Sequence, residues 1–488
     1  MIHDKLHTSL EKNIAAIQQL LPIGKSFDLV TRDLFLGETP AYWVGINGFC
    51  DTDLLQDIFA DLQSPLDTNN QSGESITDIQ HYMNSRIGYA QTSLTSSWDE
   101  IVHNILSGPS VLFIDGFDMA ILLDVRQYPS RSIAEPDAER ITRGARDGFV
   151  EILLSNTNLI RRRVRSPHLT FSMHQVGTES QTDIAIAYLD THVNEKLLRS
   201  LISTINGLTV TSLTMGTKSL EELLVQKKWY NPLPSLQVTE RPDVACSYLL
   251  EGYILVLVDN SPLALILPGT IFQFTQSPED YYKSPLVGSY FRLIRFFCIP
   301  MSLLLMPLFL LLTAYFPALS DKWTLLTDPT LTRGELILYT LVVEFILDLF
   351  KYSTAVSSSR FSGALSIVGG LIIGDVAAEL HWASPEVFFY GAITLLSSLS
   401  LSSIEFSEGL RTYRIFLLAV TSLWGIYGFV PGLILVLISM ATTPTFGGMS
   451  YLWPLFPFNA EALRMLLFRY PTAKAQPCNV WEREEEQT

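Results

Sequence analysis

Two carboxylates inside an otherwise apolar stretch are the residues of this chain best placed to do chemistry. Leu336 to Phe350 is hydrophobic but carries Glu344 and Asp348. Their i,i+4 spacing puts both on one face of a helix. A second apolar stretch, Phe361 to Leu380, carries Asp375 and Glu379. An acid at the centre of a bilayer costs ~2.5–3.5 kcal/mol on insertion scales, so such residues face a bundle interior or water rather than lipid. Rings of acids favour cations in a pore. Glu344, Asp348 and Asp375 are therefore candidate pore or intramembrane acids, with Glu344 and Asp375 the foremost. The alternative is that these segments are short interfacial helices with their acids among the headgroups. Gly370 and Gly374 form a GxxxG pair, a candidate for close helix packing.

A basic stretch stands out next. Seven arginines lie between Arg140 and Arg165 in a chain of net charge −16. Acids lie close by at Glu139, Asp147 and Glu151. One reading is a salt-bridged helical face. The other makes Arg161, Arg162, Arg163 and Arg165 a subunit or headgroup contact, because arginine forks suit carboxylate and phosphate.

Enzyme signatures are missing. The sequence has no GxxxxGK[ST] loop, no GxSxG elbow and no HExxH. The four cysteines are scattered with no CxxC pair, which argues against a zinc site and a disulfide framework. The expectation is a protein that is not an enzyme, with no catalytic residues, no cofactor and no metal. The acidic balance excludes a non-specific nucleic-acid binder.

These candidates have to be positioned by helices in a membrane. Only 17% of the 488 residues are charged, against a usual ~25%, and most of that charge precedes Arg295. Phe296 to Phe316 is uncharged and long enough for a ~30 Å hydrocarbon core, with Pro300 and Pro307 inside it. Val387 to Ile404 is uncharged, with five serines in its second half, which favour helix contact or a wet interior. Ile415 to Ala460 is uncharged too, with a break expected at Gly428, Pro431 and Gly432. Tyr451, Trp453, Phe456 and Phe458 read as an aromatic belt. Together these give about five transmembrane segments over residues 291–460 and a tail over 461–488. Lys/Arg clusters at Lys283, Arg292 and Arg295, at Lys351 and Arg360, and at Arg411 and Arg414 share one side, cytoplasmic by the positive-inside rule. Five spans would leave Arg464, Arg469 and Lys474 outside. A re-entrant or sixth segment between Pro431 and Phe458 would bring them back.

Ahead of the membrane domain, strand and helix signals alternate, with no signal peptide. Val111 to Ile114, a turn at Asp115-Gly116, and Met119 to Val125 read as a hairpin. Ile184 to Tyr188 reads as a strand followed by a helix from Val193 to Ile205. Ser247 to Asp259 and Ala264 to Leu267 read as strands around an Asn260-Ser261-Pro262 turn. The expected organisation is α/β in two subdomains, 1–97 and 98–290, preceding an α-helical polytopic membrane domain.

Several segments carry a family resemblance. Arg143 to Phe149 (RGARDGF), Asn156 to Arg163 (NTNLIRRR), Val176-Gly177 with Ser180 to Asp183, and Thr239 to Asp243 (TERPD) are among them. Leu250-Glu251-Gly252, Asp259 to Pro262, Glu279 to Tyr282 (EDYY) and Ile367 to Ala377 (IVGGLIIGDVA) follow in order. In these the chain resembles the GerA family of spore germination proteins, the A-subunit type of germinant receptor. Phe113 to Arg131, Glu135 to Phe149 and Tyr451 to Asn459 are most similar to its stage V sporulation branch. The chain departs from the family pattern in two places: Gly448-Met449-Ser450 stands where a short Val-Pro is expected before Tyr451, and Gln181 stands where a lysine is common. The resemblance implies the spore inner membrane, with the N-terminal domain facing the cytosol or spore core. It further implies a homo-oligomer forming a cation-conducting channel, which amplifies germination with a small membrane partner subunit. Lipid, but not nucleic acid, is expected as a partner. The alternatives are a transporter of a spore-core solute such as dipicolinate, and a non-conducting scaffold for germination subunits. No internal repeat of the transporter kind is visible.

Overall fold

The structure, a computed structural model, describes residues 5–63, 76, 78–89, 91–128, 139, 141, 143–226, 228–316, 332–356 and 385–470. The chain divides into two compact units. One holds most of the first 268 residues. The other holds Val225–Gln237 and Gly269–Ala475.

The first unit contains two five-stranded sheets. The first sheet has the order β1-β2-β4-β5-β3, formed by β1 (Leu29–Leu36), β2 (Thr39–Ile46), β3 (Thr92–Thr95), β4 (Ser110–Ile114) and β5 (Ala120–Leu123). Alternation along β4 explains its two cores. Val111 and Phe113 join Ile17 of α1 (Leu10–Leu20), while Leu112 and Ile114 join the helices α2 (Thr52–Gln63) and α3 (Ile79–Arg86). Ile101 and Ile105 of α4 (Trp98–Ser107) complete the first of these cores. The β4–β5 hairpin forms where its pattern predicts. The expected division at residues 97/98 falls inside this subdomain, because β4 and β5 pair with β2 and β3 rather than with anything later.

The second sheet, β6-β7-β9-β10-β8, is built from β6 (Leu169–Val176), β7 (Thr182–Leu189), β8 (Gln237–Thr239), β9 (Ile254–Val258) and β10 (Ala264–Leu267). One face is covered by α5 (Leu153–Arg163) and α8 (Pro242–Leu250). In addition, α6 (Glu195–Asn206) packs against β6 and α7 (Thr217–Leu224) against β10. The helix expected after Ile184 to Tyr188 is α6, capped by the Asn194 side chain. Ser247 to Leu250, expected as strand, is helical. Pro242 at the first turn starts α8, and the chain leaves it through Gly252 at φ +87°. Burial pushes the Cys246 thiol on α8 up to about 12.

The two subdomains are joined by a buried ion pair. Asp28, just before β1, accepts from Arg161 Nε of α5 at 2.7 Å, and neither side chain is exposed. Arg161 also donates to the carbonyls of Ser166 and Leu169 and lies over the Phe171 ring. Ser26 Oγ accepts from the Phe171 amide and donates to Asp28. Breaking a buried pair leaves an uncompensated charge, at a cost of about 3–5 kcal/mol.

The second unit is helical: α9 (Pro285–Tyr315), α10 (Arg333–Val356), α11 (Pro385–Leu399), α12 (Ile404–Trp424), α13 (Ile426–Ala441) and α14 (Ala460–Leu467). Pro300 and Pro307 lie inside α9, as expected. The run Val387 to Ile404 is divided, since Ser403 caps α12 by accepting from the Phe406 amide. The break expected at Gly428 to Gly432 lies instead at Gly425. Its φ is +59°, and a Cβ there would come within 2.4 Å of the Tyr315 ring. Tyr451 is buried against Phe274 rather than belonging to a belt, whereas Phe456 and Phe458 are exposed. Among the described residues, α9 alone is long and apolar enough to cross a membrane by length and composition.

Two outcomes follow. Arg161→Met in the full-length protein should lower thermal stability by about 3–5 kcal/mol, and the loss in Asp28→Leu/Arg161→Met should fall well short of the sum of the singles. Thermal melts of the three variants in one detergent check this; strict additivity would mean that the pair is not coupled. Cys246 should resist alkylation at pH 8 in the folded protein and react on denaturation, as read by mass spectrometry.

Candidate functional site: an interhelical charge ladder

The sequence-predicted acids lie on α10 and meet cations on α12. Glu344 Oε1 accepts from Arg414 Nε at 2.7 Å and Nη2 at 2.5 Å. Both side chains are buried, and Arg414 Nη1 reaches the Ser302 carbonyl of α9 at 2.7 Å. Ser302 precedes the carbonyl of Leu303, which Pro307 leaves without its helical donor. One turn along α10, Asp348 lies 3.3 Å from Arg411 Nε. One further turn along, Lys351 Nζ donates to Ser407 Oγ at 3.3 Å, and Ser407 Oγ donates to the Ser398 carbonyl of α11. Positions 344, 348 and 351 thus face 414, 411 and 407 in antiparallel order. The i,i+4,i+7 spacing on both helices creates the ladder.

The Glu344–Arg414 rung is buried in an apolar bundle, while Asp348 and Arg411 are partly exposed. Met306, Phe309, Leu310, Val343 and Val387 pack around that rung from α9, α10 and α11. The outward positions of the same helices are apolar and exposed, among them Phe345 and Leu349 of α10 and Leu396 of α11. The Glu344 Oε2 atom is buried without a hydrogen-bond partner. The serines expected at a contact serve one: Ser397 and Ser398 of α11 are buried, and Ser402, in the loop that follows, donates to the Phe274 carbonyl.

A family model described as the Bacillus/Clostridium GerA spore germination protein matches residues 16–478. Stage V sporulation protein AF of Bacillus subtilis (strain 168) is 32% identical over 475 residues, covering 97% of this chain and 95% of that protein. The chain belongs to the GerA family. Spore germination protein KA of the same organism is 27% identical, covering 95% of this chain and 85% of the relative. Spore germination protein B1 is 25% identical, covering 96% of each. Among solved structures, the N-terminal domain of the A subunit of the Bacillus megaterium spore germinant receptor GerK3 aligns with 55% of this chain and 97% of its own, at 24% identity and a TM-score of 0.42.

Within this GerA-family chain the other sequence-predicted residues fall differently. Asp375, Gly370 and Gly374 lie outside the described residues. Glu344 and Asp348 do share a face, but within one chain they turn to arginines rather than to an open pathway. The four arginines expected at a subunit contact are occupied internally. Arg161 is the buried seam to Asp28, Arg162 lies over the Tyr128 ring, Arg163 pairs with Asp147, and Arg165 donates to Ser107. Two of the four thus form ion pairs, and the other two meet a ring and a hydroxyl of the same unit.

Two of the family segments turn out to lock each other. Arg241 of the TERPD segment is fully buried, pairs with Asp243, and donates to the Glu139 and Ala145 carbonyls. Glu139 in turn accepts from Thr239 Oγ1 and the Glu240 amide. Sequence reasoning also missed Arg411 and Arg414 as partners of the acids. Charges at i and i+3 in a long apolar helix were the available signal, since a buried cation demands an acid elsewhere.

Glu344→Gln should leave Arg414 uncompensated and destabilise the detergent-solubilised protein by about 3–5 kcal/mol. The exchange Glu344→Arg/Arg414→Glu should recover part of the loss, and melting of the three proteins checks both. If Glu344→Gln melts like the parent, the ladder does not hold these helices together.

Proposed function

We propose that this chain is a spore inner-membrane protein that assembles into an oligomeric cation-conducting channel and amplifies the germination response. The observation that carries the reading is the charge ladder of α10 and α12, enclosed in a bundle whose outer face is apolar. The ladder gathers five charged groups between apolar helices, with Glu344 and Arg414 buried and the other three partly exposed, and charges within membrane helices mark ion pathways and relays. One carboxylate oxygen of Glu344 remains free to take a cation or a proton.

The helix directions support a membrane arrangement. Tyr315, at the end of α9, donates to the Ser422 carbonyl near the end of α12, so these helices run parallel. Helix α13 returns, and Thr443 beyond it accepts from Asn231. Adding the apolar stretch Phe361 to Leu380, read from the sequence as a span, to α9 through α13 gives six crossings. The tail then returns to the side of Arg292 and Arg295, which resolves the misplaced cations of a five-span arrangement. In this reading the N-terminal domain faces the spore core. One chain has too few spans to enclose a wide pore, so a homo-oligomer forms it, accompanied by a small membrane partner subunit.

The scaffold reading is favoured by one specific observation: Glu344 and Asp348 are already neutralised by Arg414 and Arg411. The two readings separate on conduction. Purified protein in liposomes should release potassium, and Arg411→Gln, which unmasks the Asp348 charge near the rim of the ladder, should shift cation selectivity with assembly unchanged. A well-folded, correctly inserted protein that passes no cation, in a strain whose germination still fails without it, would make the chain a scaffold.

A further inference from the structure

A second set of buried charges lies where α9 begins, and it is unbalanced. Asp280, buried in the EDYY segment, is the shared partner of two arginines on α9. Arg295 Nη2 pairs with its Oδ2, and Arg292 Nε lies 3.5 Å from the same oxygen. The neighbouring acid, Glu279, is 3.0 Å from Lys283. A third arginine, Arg469, follows α14 and lies across the same helix. Its amide donates to Ser289 Oγ, and its Cδ would be 3.1 Å from a Cβ on residue 288. Gly288 thus lets the arm cross α9 one turn before Arg292. Two guanidinium groups share one carboxylate, leaving one positive charge in excess, and the Arg469 arm crosses the same helix one turn away.

The hydrogen-bond inventory is also incomplete. Arg292 is only 2% exposed. Its Nη1 donates to the carbonyls of Met465 and Leu466, at the end of α14, where a helix presents its negative pole. Its Nη2, and Nη1 of Arg469, are buried without hydrogen-bond acceptors, and its Nε has only the long Asp280 contact at 3.5 Å. Buried donors in native proteins find partners, so unfilled ones point to a group that binds there. An acceptor with several oxygens and a negative charge answers both deficits. A phosphate does so through the forked donors that arginine presents.

The place in the fold argues for the source. Arg295 is the last charge before the uncharged stretch that begins at Phe296, in the helix long and apolar enough to cross a membrane. Headgroup phosphates lie at that depth. Leu286, Tyr290, Leu293 and Phe297 are exposed along the same turns and offer apolar surface to acyl chains. A free anion would leave those side chains without a role.

We propose that Arg292 and Arg469, backed by the Arg295–Asp280 pair, bind the phosphate of an anionic phospholipid headgroup and fix α9 and α14 at the membrane surface. The proposal rests on the membrane reading above. Full-length protein in a neutral detergent tests it, with phosphatidylglycerol and inorganic phosphate as probes and native mass spectrometry and thermal melting as readouts. Phosphatidylglycerol should be retained and raise the melting temperature, and Arg469→Gln should weaken retention about tenfold. Arg464→Gln, an exposed cation on α14, should change neither. Arg469 sits outside the helices, so its variant folds even where Arg292→Gln does not. Carbonate extraction of Arg469→Gln should match the parent, which separates loss of the lipid site from failure of the membrane reading. Equal retention by Arg469→Gln and its parent would overturn the site. An equal melting shift from inorganic phosphate alone would overturn the lipid as its source.

Discussion

A guanidinium removed from water must be given acceptors, and this constraint organises both units of the protein. The cost of leaving such a charge uncompensated exceeds what most single contacts contribute. Each buried arginine therefore fixes the elements that supply its acceptors. Arg161 ties α5 to the residues ahead of β1 through Asp28. Arg241 ties the start of α8 to the segment from Glu139 to Ala145. Arg414 ties α12 to α10 through Glu344 and to α9 through the Ser302 carbonyl.

The three arginines differ in what a change would do. Arg161 and Arg241 are surrounded by acceptors on all sides and lie in layers of strands and helices that bury large apolar cores. Their pairs specify how subdomain elements meet. The Arg414 pair is less complete, because the second oxygen of Glu344 has no donor. The pairing also loosens along the ladder, from the buried Glu344 contact to the partly exposed Asp348 and Arg411. An incompletely satisfied charge network inside apolar helices is a natural place for two arrangements of nearly equal energy.

Much of this was legible in the sequence. Uncharged runs, the acids at 344 and 348, and the family segments identified a mixed α/β region followed by apolar helices. The β4–β5 hairpin and α6 follow from alternation, turn residues and capping. Local pattern failed where its signal was shared between states. Ser247 to Leu250 has strand-like composition, but Pro242 sets the preceding turn and the helix wins. Residues 428–432 contain the strongest helix breakers of their run, yet α13 continues through Pro431 while Gly425 turns the chain beside Tyr315. Pro431 lies inside α13 and removes one ladder hydrogen bond without ending the helix, as Pro300 and Pro307 do in α9, whereas Gly425 supplies the positive φ that the turn requires.

The sequence by itself determined which residues are expensive to bury: the acids of α10, the arginines of α5 and α12, and the basic residues flanking Phe296 to Phe316. Composition and periodicity suffice for that, because desolvation belongs to the residue and its segment. Only the tertiary structure decided how each expense is met. It paired Glu344 with a residue seventy positions away, turned Arg161 inward to Asp28, and gathered Arg292 and Arg295 on a single carboxylate. Ion pairing depends on separations of a few ångströms between elements distant in the chain, and no local pattern encodes those separations.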